Sequence, residues 1–311
     1  MAVSGSKNYA ITRANIIEAA LRKLGAYDQG ESIPGDETNS ASLALNLMVK
    51  EWVARGIDIW LRDEITLFLQ NDTQVYNLGT DNATNSYVET TLTGSASTSQ
   101  TLLTLTSTTG MSTNDFIGIK LTDNSIHWDI IASVGSTTQA TITTGLASGS
   151  ASGKKVYAYT TKAGRPTKIE SAFRRDNNGL DTSVSIIGEK EYREQSNKAS
   201  SGPVIELWYK PTITTGSLYV WPVDGKSDWD KLVMSAHYYP DDFDIASDNP
   251  QFPIEWGNTL VWNLAAELST EYGLPEREQG RLWTVAEFKL NELLDYDVEN
   301  ASVEFALELY P

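Results

Sequence analysis

Three aspartates close together in the sequence form the densest group of potential metal ligands. Asp241, Asp242 and Asp244 could offer carboxylate oxygens to calcium. A calcium-binding loop also needs regularly spaced oxygen ligands and a bidentate glutamate, and this segment lacks both. We therefore interpret the three aspartates as part of a solvated turn.

Other metal-binding residue types are sparse. The chain has no cysteine, and its two histidines, His127 and His237, are far apart in the sequence. These counts exclude disulfides and thiolate metal sites, and they argue against a histidine-rich metal site. We interpret both histidines as structural and predict no metal and no cofactor.

Carboxylates could instead act as the acid and base of glycan hydrolysis. Glu255, Glu267 and Glu271 lie on one predicted helix with the spacing of an exposed face, and an acidic chain supplies many carboxylate pairs by chance. Asn263 and Glu267, one turn apart, are interpreted as a polar rim. Because nothing selects a pair, we predict no catalytic residue and no enzymatic activity.

Residues 149–155, GSASGKK, contain glycines and lysines like those of a phosphate-binding loop. The glycine spacing of such a loop is missing, and no serine or threonine follows the lysines. The GSAS part also lacks the spacing of a nucleophile elbow. We therefore predict neither a phosphate site nor a nucleophilic serine here.

The elements that must position these side chains are clearest from residue 252 to residue 294, where the sequence predicts two antiparallel helices. Pro253 suits a first helical position, Gly273 can end the first helix, and Pro275 begins the second. The short connection forces antiparallel packing. The apolar stripes are Trp256, Leu260, Leu264, Leu268 and Tyr272 on the first helix, and Leu282, Val285, Ala286, Leu290, Leu293 and Leu294 on the second.

Trp262 does not belong to the first stripe. At about 100° per residue, its side chain points roughly 160° away from the middle of the face formed by Leu260, Leu264 and Leu268. A large aromatic residue in this position either packs under another part of the same chain or contacts a second subunit. We retain Trp262 as the candidate oligomer-interface residue.

The N-terminal part of the sequence predicts two more helices. Thr12 is a suitable N-cap for the first helix, and Gly25 ends it. The second helix covers about residues 37–55. Its apolar residues, which include Leu43 and Leu47, project in nearly every direction, and this predicts a helix at the centre of the helical part.

The middle of the chain changes to strand character. Short runs of β-branched and aromatic residues, separated by turn residues, predict strands in residues 63–79 and 163–249, with a hairpin-like turn at residues 214–216. Thr, Ser and Gly dominate residues 80–162. Recurring β-branched and aromatic residues favour a folded insert there over a flexible linker.

These patterns predict an α+β fold. An antiparallel helix bundle comes from both ends of the chain (residues 1–62 and 250–299), together with a β domain (residues 63–79 and 163–249). Residues 80–162 form a small inserted all-β module, either barrel-like or sandwich-like. Residues 300–311 form a C-terminal docking arm.

The docking arm has the period of a strand. Its alternating apolar residues could pair with a sheet edge of a neighbouring protein or fold back onto the chain itself. We predict docking on a neighbour. The candidate docking residues are Val303, Phe305, Leu307, Leu309 and Tyr310.

The formal net charge of the chain is -17, with a pI near 4.5. A protein that binds nucleic acid tightly through its phosphates needs clustered Lys and Arg, so this charge argues against tight DNA binding. No apolar core of a signal peptide is visible, and no run approaches the roughly 18 apolar residues that cross a bilayer. We expect synthesis in the cytoplasm without membrane insertion.

Several segments together resemble one protein family. They are QVYNL (74–78), RPTKIESAFRRD (165–176), SLYVWP (217–222) and, above all, DNPQFPIEWGNTLVWNLAAELSTEYG (248–273). In this order, with helices at both ends of the chain, they resemble the head-to-tail adaptor proteins of short-tailed bacteriophages (podoviruses), also called tail accessory or DNA-stabilisation proteins. The resemblance spans nearly the whole chain outside the insert.

The resemblance implies a structural protein of the virion tail or neck. In this family, copies form a ring of twelve beneath the portal protein, and the ring closes the packaged head, extends the DNA channel and receives tail nozzle and tail fibre proteins. Packaged double-stranded DNA would pass through the ring without specific binding. The portal or an adjacent subunit would be the neighbour on which the C-terminal arm docks.

Two other functions remain open at this point. Some members of the family are described as cell-wall lytic, which would make the chain a glycan hydrolase. Alternatively, the insert could bind carbohydrate through Trp128, although an aromatic residue in a β core explains Trp128 equally well.

Overall fold

A computed structural model describes residues 9–57, 61–176, 178–225 and 231–296. The chain divides into two compact units, one made of residues 1–61 and 239–311 and the other of residues 62–238.

The helices in the described residues are α1 (Arg13–Leu24), α2 (Gly35–Ala54), α3 (Glu189–Glu194), α4 (Gly257–Glu271) and α5 (Glu276–Tyr296). The strands are β1 (Arg62–Phe68), β2 (Val75–Leu78), β3 (Ala83–Thr84), β4 (Val88–Thr91), β5 (Leu102–Thr104), β6 (Phe116–Lys120), β7 (Ile126–Ser136), β8 (Gln139–Ile142), β9 (Lys155–Tyr159), β10 (Lys168–Arg175), β11 (Asp181–Ile186), β12 (Glu206–Pro211), β13 (Gly216–Trp221) and β14 (Lys231–His237).

Both ends of α1 are fixed by residues that the sequence pattern selects. The Thr12 hydroxyl accepts a hydrogen bond from the Asn15 backbone N–H at 3.3 Å, and Asn15 Oδ1 accepts one from the Thr12 N–H at 3.2 Å. Gly25 ends the helix at φ 73°, a left-handed conformation that costs glycine little. The face between the two caps is buried, through Ile16, Ile17, Ala20, Leu21 and Leu24.

Helix α4 is the centre of the helical unit, because it packs against α1, α2 and α5. A single 3-10 turn, Ile254–Trp256, precedes it, and the Trp256 ring packs against Trp52 of α2 with 5.9 Å between centroids. The prediction that α2 is central is wrong. Leu43 and Leu47 on α2 are each 61% exposed, so α2 has one buried face and one uncovered apolar face.

Helices α4 and α5 pack antiparallel, as the short connection between them predicts. Asn263 of α4 is only 5% exposed, and its Nδ2 donates to the backbone carbonyls of Thr259 (2.9 Å) and Ala286 (3.3 Å). The interpretation of Asn263 as a rim residue is therefore wrong. Its amide links the two helices from inside the core.

The second unit contains an eight-stranded sheet with the order β2-β13-β12-β11-β10-β14-β1-β3. Neighbouring strands run antiparallel except β11 and β12, which are parallel and are connected through α3. The β12–β13 hairpin turns where the sequence predicts it. β14 lies between β10 and β1, and most of its side chains are buried.

The remaining six strands form a small barrel. Their order is β4-β9-β6-β7-β8-β5. The two edge strands are joined because the Thr93 N–H donates to the Thr104 carbonyl at 2.9 Å and the Thr106 N–H donates to the Thr91 carbonyl at 2.8 Å. Closure leaves the barrel with its own apolar core, which includes Leu92, Leu103, Leu105, Ile117, Ile119, Ile131, Ile142 and Val156.

An aromatic cluster packs the barrel against the eight-stranded sheet within this unit. The buried ring of Phe68, at the end of β1, lies 4.7 Å from Tyr157 and 5.2 Å from Trp128, centroid to centroid. Beside the cluster, Lys231 of β14 forms an ion pair with Glu89 of β4. The barrel and the sheet therefore share a packed and charged boundary.

The predicted fold class is wrong. Over the residues that the structure describes, the chain is mainly β, with one sheet of eight strands and another of six, and not a helix bundle accompanied by a β domain and a small insert. Long helices such as α5, with 21 residues, give a strong periodic signal, whereas strands of two to eleven residues give weak ones. The sequence pattern therefore overstates the helical part.

Candidate functional site

The aspartate segment is held by contacts within the protein. Asp242 Oδ1 lies 2.8 Å from Lys50 Nζ, and Asp248 Oδ2 accepts the backbone N–H of Asp244 at 2.7 Å. Arg13 donates to the backbone carbonyl of Asp244 at 3.1 Å. These contacts stabilise a turn. In the described part of the chain, no group of three or more His, Cys, Asp or Glu side chains could hold a metal ion.

The two histidines lie in different sheets. His127 is in β7 of the barrel, and His237 is in β14. His237 Nε2 lies 3.2 Å from Glu170 Oε2, and Arg62 Nε lies 3.0 Å from the same oxygen. The cluster of His237, Glu170 and Arg62 therefore links the adjacent strands β14, β10 and β1.

Residues 149–155 belong to the barrel, and their cations are engaged by other side chains. Lys154 Nζ donates to Asn124 Oδ1 at 2.7 Å. Lys155 Nζ lies 2.5 Å from Glu89 Oε1. Both lysines are tied to specific partners within the barrel.

Trp128 is a packing residue of the barrel. It lies opposite Gly118 on the neighbouring strand, and a Cβ on Gly118 would lie 2.7 Å from the indole ring. The ring centroid also lies 5.6 Å from that of Tyr159. A sugar stacks on an open aromatic face, whereas Gly118 and the aromatic cluster cover the Trp128 ring. The carbohydrate-binding interpretation therefore gains no support from this residue.

Two carboxylates line one cavity of the helical unit. The cavity has a volume of about 210 Å³, and Glu37, Ser40, Glu271 and Tyr272 contribute to its wall. The Tyr272 hydroxyl donates to Glu37 Oε2 at 2.5 Å, and the Ser40 hydroxyl donates to Glu271 Oε2 at 3.4 Å. Burial, followed by the bond to Glu37, raises the pKa of Tyr272. Both carboxylates thus fasten α2 to the end of α4.

A second phenol reaches Glu37 from the loop after α1. Its hydrogen bond to Glu37 is the main cause that raises the pKa of Tyr27 to about 12. A carboxylate that accepts hydrogen bonds from two tyrosine hydroxyls is well suited to hold three chain segments together. The arrangement is a polar clamp at this end of the helical unit.

The other glutamates selected from the sequence have different surroundings. Glu255 lines a second cavity of about 330 Å³ with Glu292 and Lys289, and these last two form an ion pair at 2.9 Å. Glu267 lines neither cavity, and its pKa is raised by partial burial and then by the charge of Glu51. Neither cavity contains two of the three glutamates that the sequence placed on one helix.

Trp262 lies between the core and the surface of the helical unit. It is half-buried and packs against the helical core, and Lys23 Nζ of α1 lies 4.1 Å from the ring centroid. One face of the indole is therefore covered within the chain itself. The role of Trp262 in an oligomer interface stays a prediction.

The predicted docking residues all lie outside the described residues, which end at residue 296. Their role stays a prediction. They are Val303, Phe305, Leu307, Leu309 and Tyr310.

Two exposed apolar patches on the helical unit were not selected as a site from the sequence. Leu43 and Leu47 are uncovered on α2, while Phe288 is 63% exposed and Trp283 is 37% exposed on α5. On α2, the sequence signal for such a patch was that apolar residues project in nearly every direction. One neighbouring helix cannot cover all of them, so some must stay exposed unless other elements surround the helix. Phe288 lies outside the predicted apolar stripe of its helix. Leu43 and Leu47 lie one turn apart on the same face of α2, whereas Trp283 and Phe288 are five positions apart on α5 and lie on different faces.

A scan against protein-family models gives no match, and a search of curated proteins gives none either. Within the described ranges, no helix has the length and apolar character needed to cross a membrane.

Proposed function

We propose that this protein is a structural component of a bacteriophage virion, a head-to-tail adaptor that forms a ring of twelve copies beneath the portal protein. In the neck of the tail, the ring extends the DNA channel and helps to retain packaged DNA. It also gives tail nozzle and tail fibre proteins a surface for attachment. Such a role requires lateral contact surfaces and no catalytic centre.

The observation that carries the proposal is the presence of two exposed apolar patches on one unit. Leu43 and Leu47 on α2, and Phe288 on α5, remain largely uncovered in the single chain. The same unit contains the segment with the strongest resemblance to adaptor proteins, residues 248–273, and α4 from this segment is its central helix. The resemblance and the uncovered surfaces therefore fall on the same part of the chain.

The charge of the chain suits a DNA conduit. Each copy has a formal charge of -17, so a ring of twelve would carry roughly -200. Carboxylates that face the channel would repel DNA phosphates, and the duplex would slide without adhering. Charge of this size also keeps the free protein soluble.

The C-terminal arm supplies a second kind of contact in this proposal. Val303, Phe305, Leu307 and Leu309 alternate along the sequence and give an extended segment one apolar side. Such a segment can add to a sheet edge or lie in a groove of a partner. We assign the portal or an adjacent subunit as that partner.

A cell-wall glycan hydrolase is the alternative function. It would have to use carboxylates such as Glu37 and Glu271, which line one cavity but are engaged in hydrogen bonds between helices. Release of peptidoglycan fragments by the purified protein, abolished by Glu37→Gln or Glu271→Gln, would establish the hydrolase. The adaptor proposal predicts no release.

Location in the virion tests the adaptor proposal. Antibodies raised against the purified protein should label intact particles at the junction of head and tail, in electron micrographs of the phage that encodes it. Several antibody molecules should bind at that one position on each particle, because the ring contains many copies. Absence of the protein from purified particles, or labelling only at the distal end of the tail, would contradict the proposal.

A further inference from the structure

We infer that the exposed face of α2 in one copy packs on the exposed face of α5 in the next copy, and that this contact closes the ring laterally. The inference rests on the proposed ring and names the surfaces that form it. The α2 stripe consists of Asp36, Ser40, Leu43, Leu47 and Glu51, and the α5 stripe consists of Arg277, Arg281, Thr284, Phe288 and Asn291.

Each stripe is a continuous strip of helix surface. Its residues are three or four positions apart, so they lie on the same face of the helix. Every one of them is exposed in the single chain. In the α2 stripe, Leu43 and Leu47 lie between polar residues, and in the α5 stripe the one large apolar side chain, Phe288, lies between Thr284 and Asn291. An apolar centre with a polar rim is the arrangement of a protein interface.

The two stripes face different directions, because α2 and α5 flank α4 on opposite sides. Tyr272 at the end of α4 contacts Glu37 of α2, whereas Asn263 of α4 contacts Ala286 of α5. At about 100° per residue, positions 263 and 272 point in opposite directions around the α4 axis. Two different patches on opposite sides of one unit suit a head-to-tail contact, and repetition of that contact gives a ring when the rotation closes.

The charges of the stripes select the pairing of α2 with α5. The α2 stripe carries the carboxylates of Asp36 and Glu51, and the α5 stripe carries the guanidinium groups of Arg277 and Arg281. Contact between unlike stripes brings opposite charges together. Contact between two α2 stripes, or two α5 stripes, would place like charges side by side, which disfavours a two-fold dimer through either stripe.

Local ion pairs do not prevent this contact. Glu51 pairs with Arg55, and Arg281 lies 3.4 Å from Glu278, each pair being on one helix and exposed to solvent. Exposed pairs of this kind contribute little to stability. Their members can therefore exchange a partner on the same helix for one on the next copy.

Disulfide crosslinking tests the contact directly. Because the chain has no cysteine, each crosslink must come from introduced residues. The variants are Leu47→Cys, Phe288→Cys and the double variant, with Ile213→Cys as the control, since Ile213 is 96% exposed in the other unit. Full-length proteins are oxidised with copper phenanthroline at high concentration, in enough salt to screen repulsion between acidic chains.

We expect an equimolar mixture of Leu47→Cys and Phe288→Cys to give a disulfide dimer that neither variant gives alone, and the double variant to give a ladder. Dimers from Leu47→Cys alone would overturn the inference. A yield of disulfide dimer no higher than that of mixtures containing Ile213→Cys would also overturn it.

Light scattering of wild-type protein with portal measures ring formation separately. A ring on the portal without the specific crosslink refutes the α2–α5 contact and leaves the adaptor proposal intact. Crosslinking without any binding to portal supports the contact and refutes the adaptor proposal.

Discussion

Lys231 Nζ lies 2.7 Å from Glu89 Oε2, and this ion pair connects β14 of the eight-stranded sheet to β4 of the barrel. The Lys231 side chain is only 5% exposed, and its Nζ lies 5.5 Å from the ring centroids of Tyr87 and Tyr157. The other oxygen of Glu89 pairs with Lys155. One carboxylate therefore pairs with a buried ammonium group and with a more accessible one.

Replacement of Glu89 should destabilise the second unit. In Glu89→Gln the buried ammonium of Lys231 loses its charged partner, and we expect the free energy of unfolding to fall by about 2–4 kcal/mol. Urea unfolding followed by circular dichroism measures this change. Glu194→Gln is the control, since Glu194 makes an exposed pair with Lys190 and its loss should cost less than about 1 kcal/mol. Equal stability of the two variants would refute the structural role of the Glu89 pair.

The same pair predicts a dependence of stability on pH. Burial raises the pKa of Glu89, but hydrogen bonds from Lys155 and Lys231 outweigh burial and lower the pKa below its ordinary value of 4.5. A carboxylate with a lowered pKa contributes stability that is present above that ordinary value and lost as the pH falls through the folded value. Between about pH 5 and pH 3, wild type should lose stability more steeply than Glu89→Gln. Parallel curves would contradict this prediction.

A methyl group on Gly118 should disturb the boundary between barrel and sheet. The added Cβ would lie 2.7 Å from the Trp128 ring, so the indole must move out of the aromatic cluster around Phe68. We expect Gly118→Ala to cost about 1–3 kcal/mol of unfolding free energy, as overpacked cores do. Gly94→Ala is the matched control in the barrel segment, because no atom lies within 4 Å of its added Cβ. Similar stability of the two variants in urea would show that Trp128 is not packed on Gly118.

Local sequence signals predicted the helix ends and the hairpin well. Thr12 and Gly25 act through neighbouring residues, so their roles as helix caps could be recognised from the sequence. The pairing partners of the strands could not be recognised from the sequence. β1 and β2 are consecutive in the chain, yet they lie far apart in the sheet order. Closure of the barrel likewise depends on contacts between strands that are not consecutive, and no short pattern encodes such contacts.

The candidate sites also depend on contacts between residues that are far apart in the sequence, which local patterns do not reveal. The Tyr272–Glu37 contact joins residues 235 positions apart. Tyr272 is recognisable from the sequence as part of an apolar stripe, but no local pattern connects it to Glu37. Asn263 was placed on the rim because it is polar, although its amide is satisfied inside the core. Leu43 and Leu47 are apolar by residue type, but their exposure depends on which helix occupies the centre of the unit. Helical periodicity shows on which face of a helix a residue lies, but it does not show which element packs against that face.

Truncation after Asn300 tests the C-terminal arm. If the arm docks on a partner, the shortened protein should keep its melting temperature within about 2 °C of wild type and lose binding to the portal. Thermal unfolding and co-sedimentation with the portal measure the two properties. A large fall in melting temperature with portal binding intact would show that the arm folds onto its own chain.

The molar mass of the protein, alone and with the portal of the same virus, tests the central proposal most directly. Size-exclusion chromatography with light scattering should give the mass of a single chain, 34.2 kDa, for the protein alone, because acidic chains repel one another. Addition of the portal should give a complex heavier than the portal by a complete ring of chains, twelve if the resemblance to the adaptor family holds. A portal whose mass does not change would contradict the proposal, and a stable ring without portal would contradict its assembly on the portal.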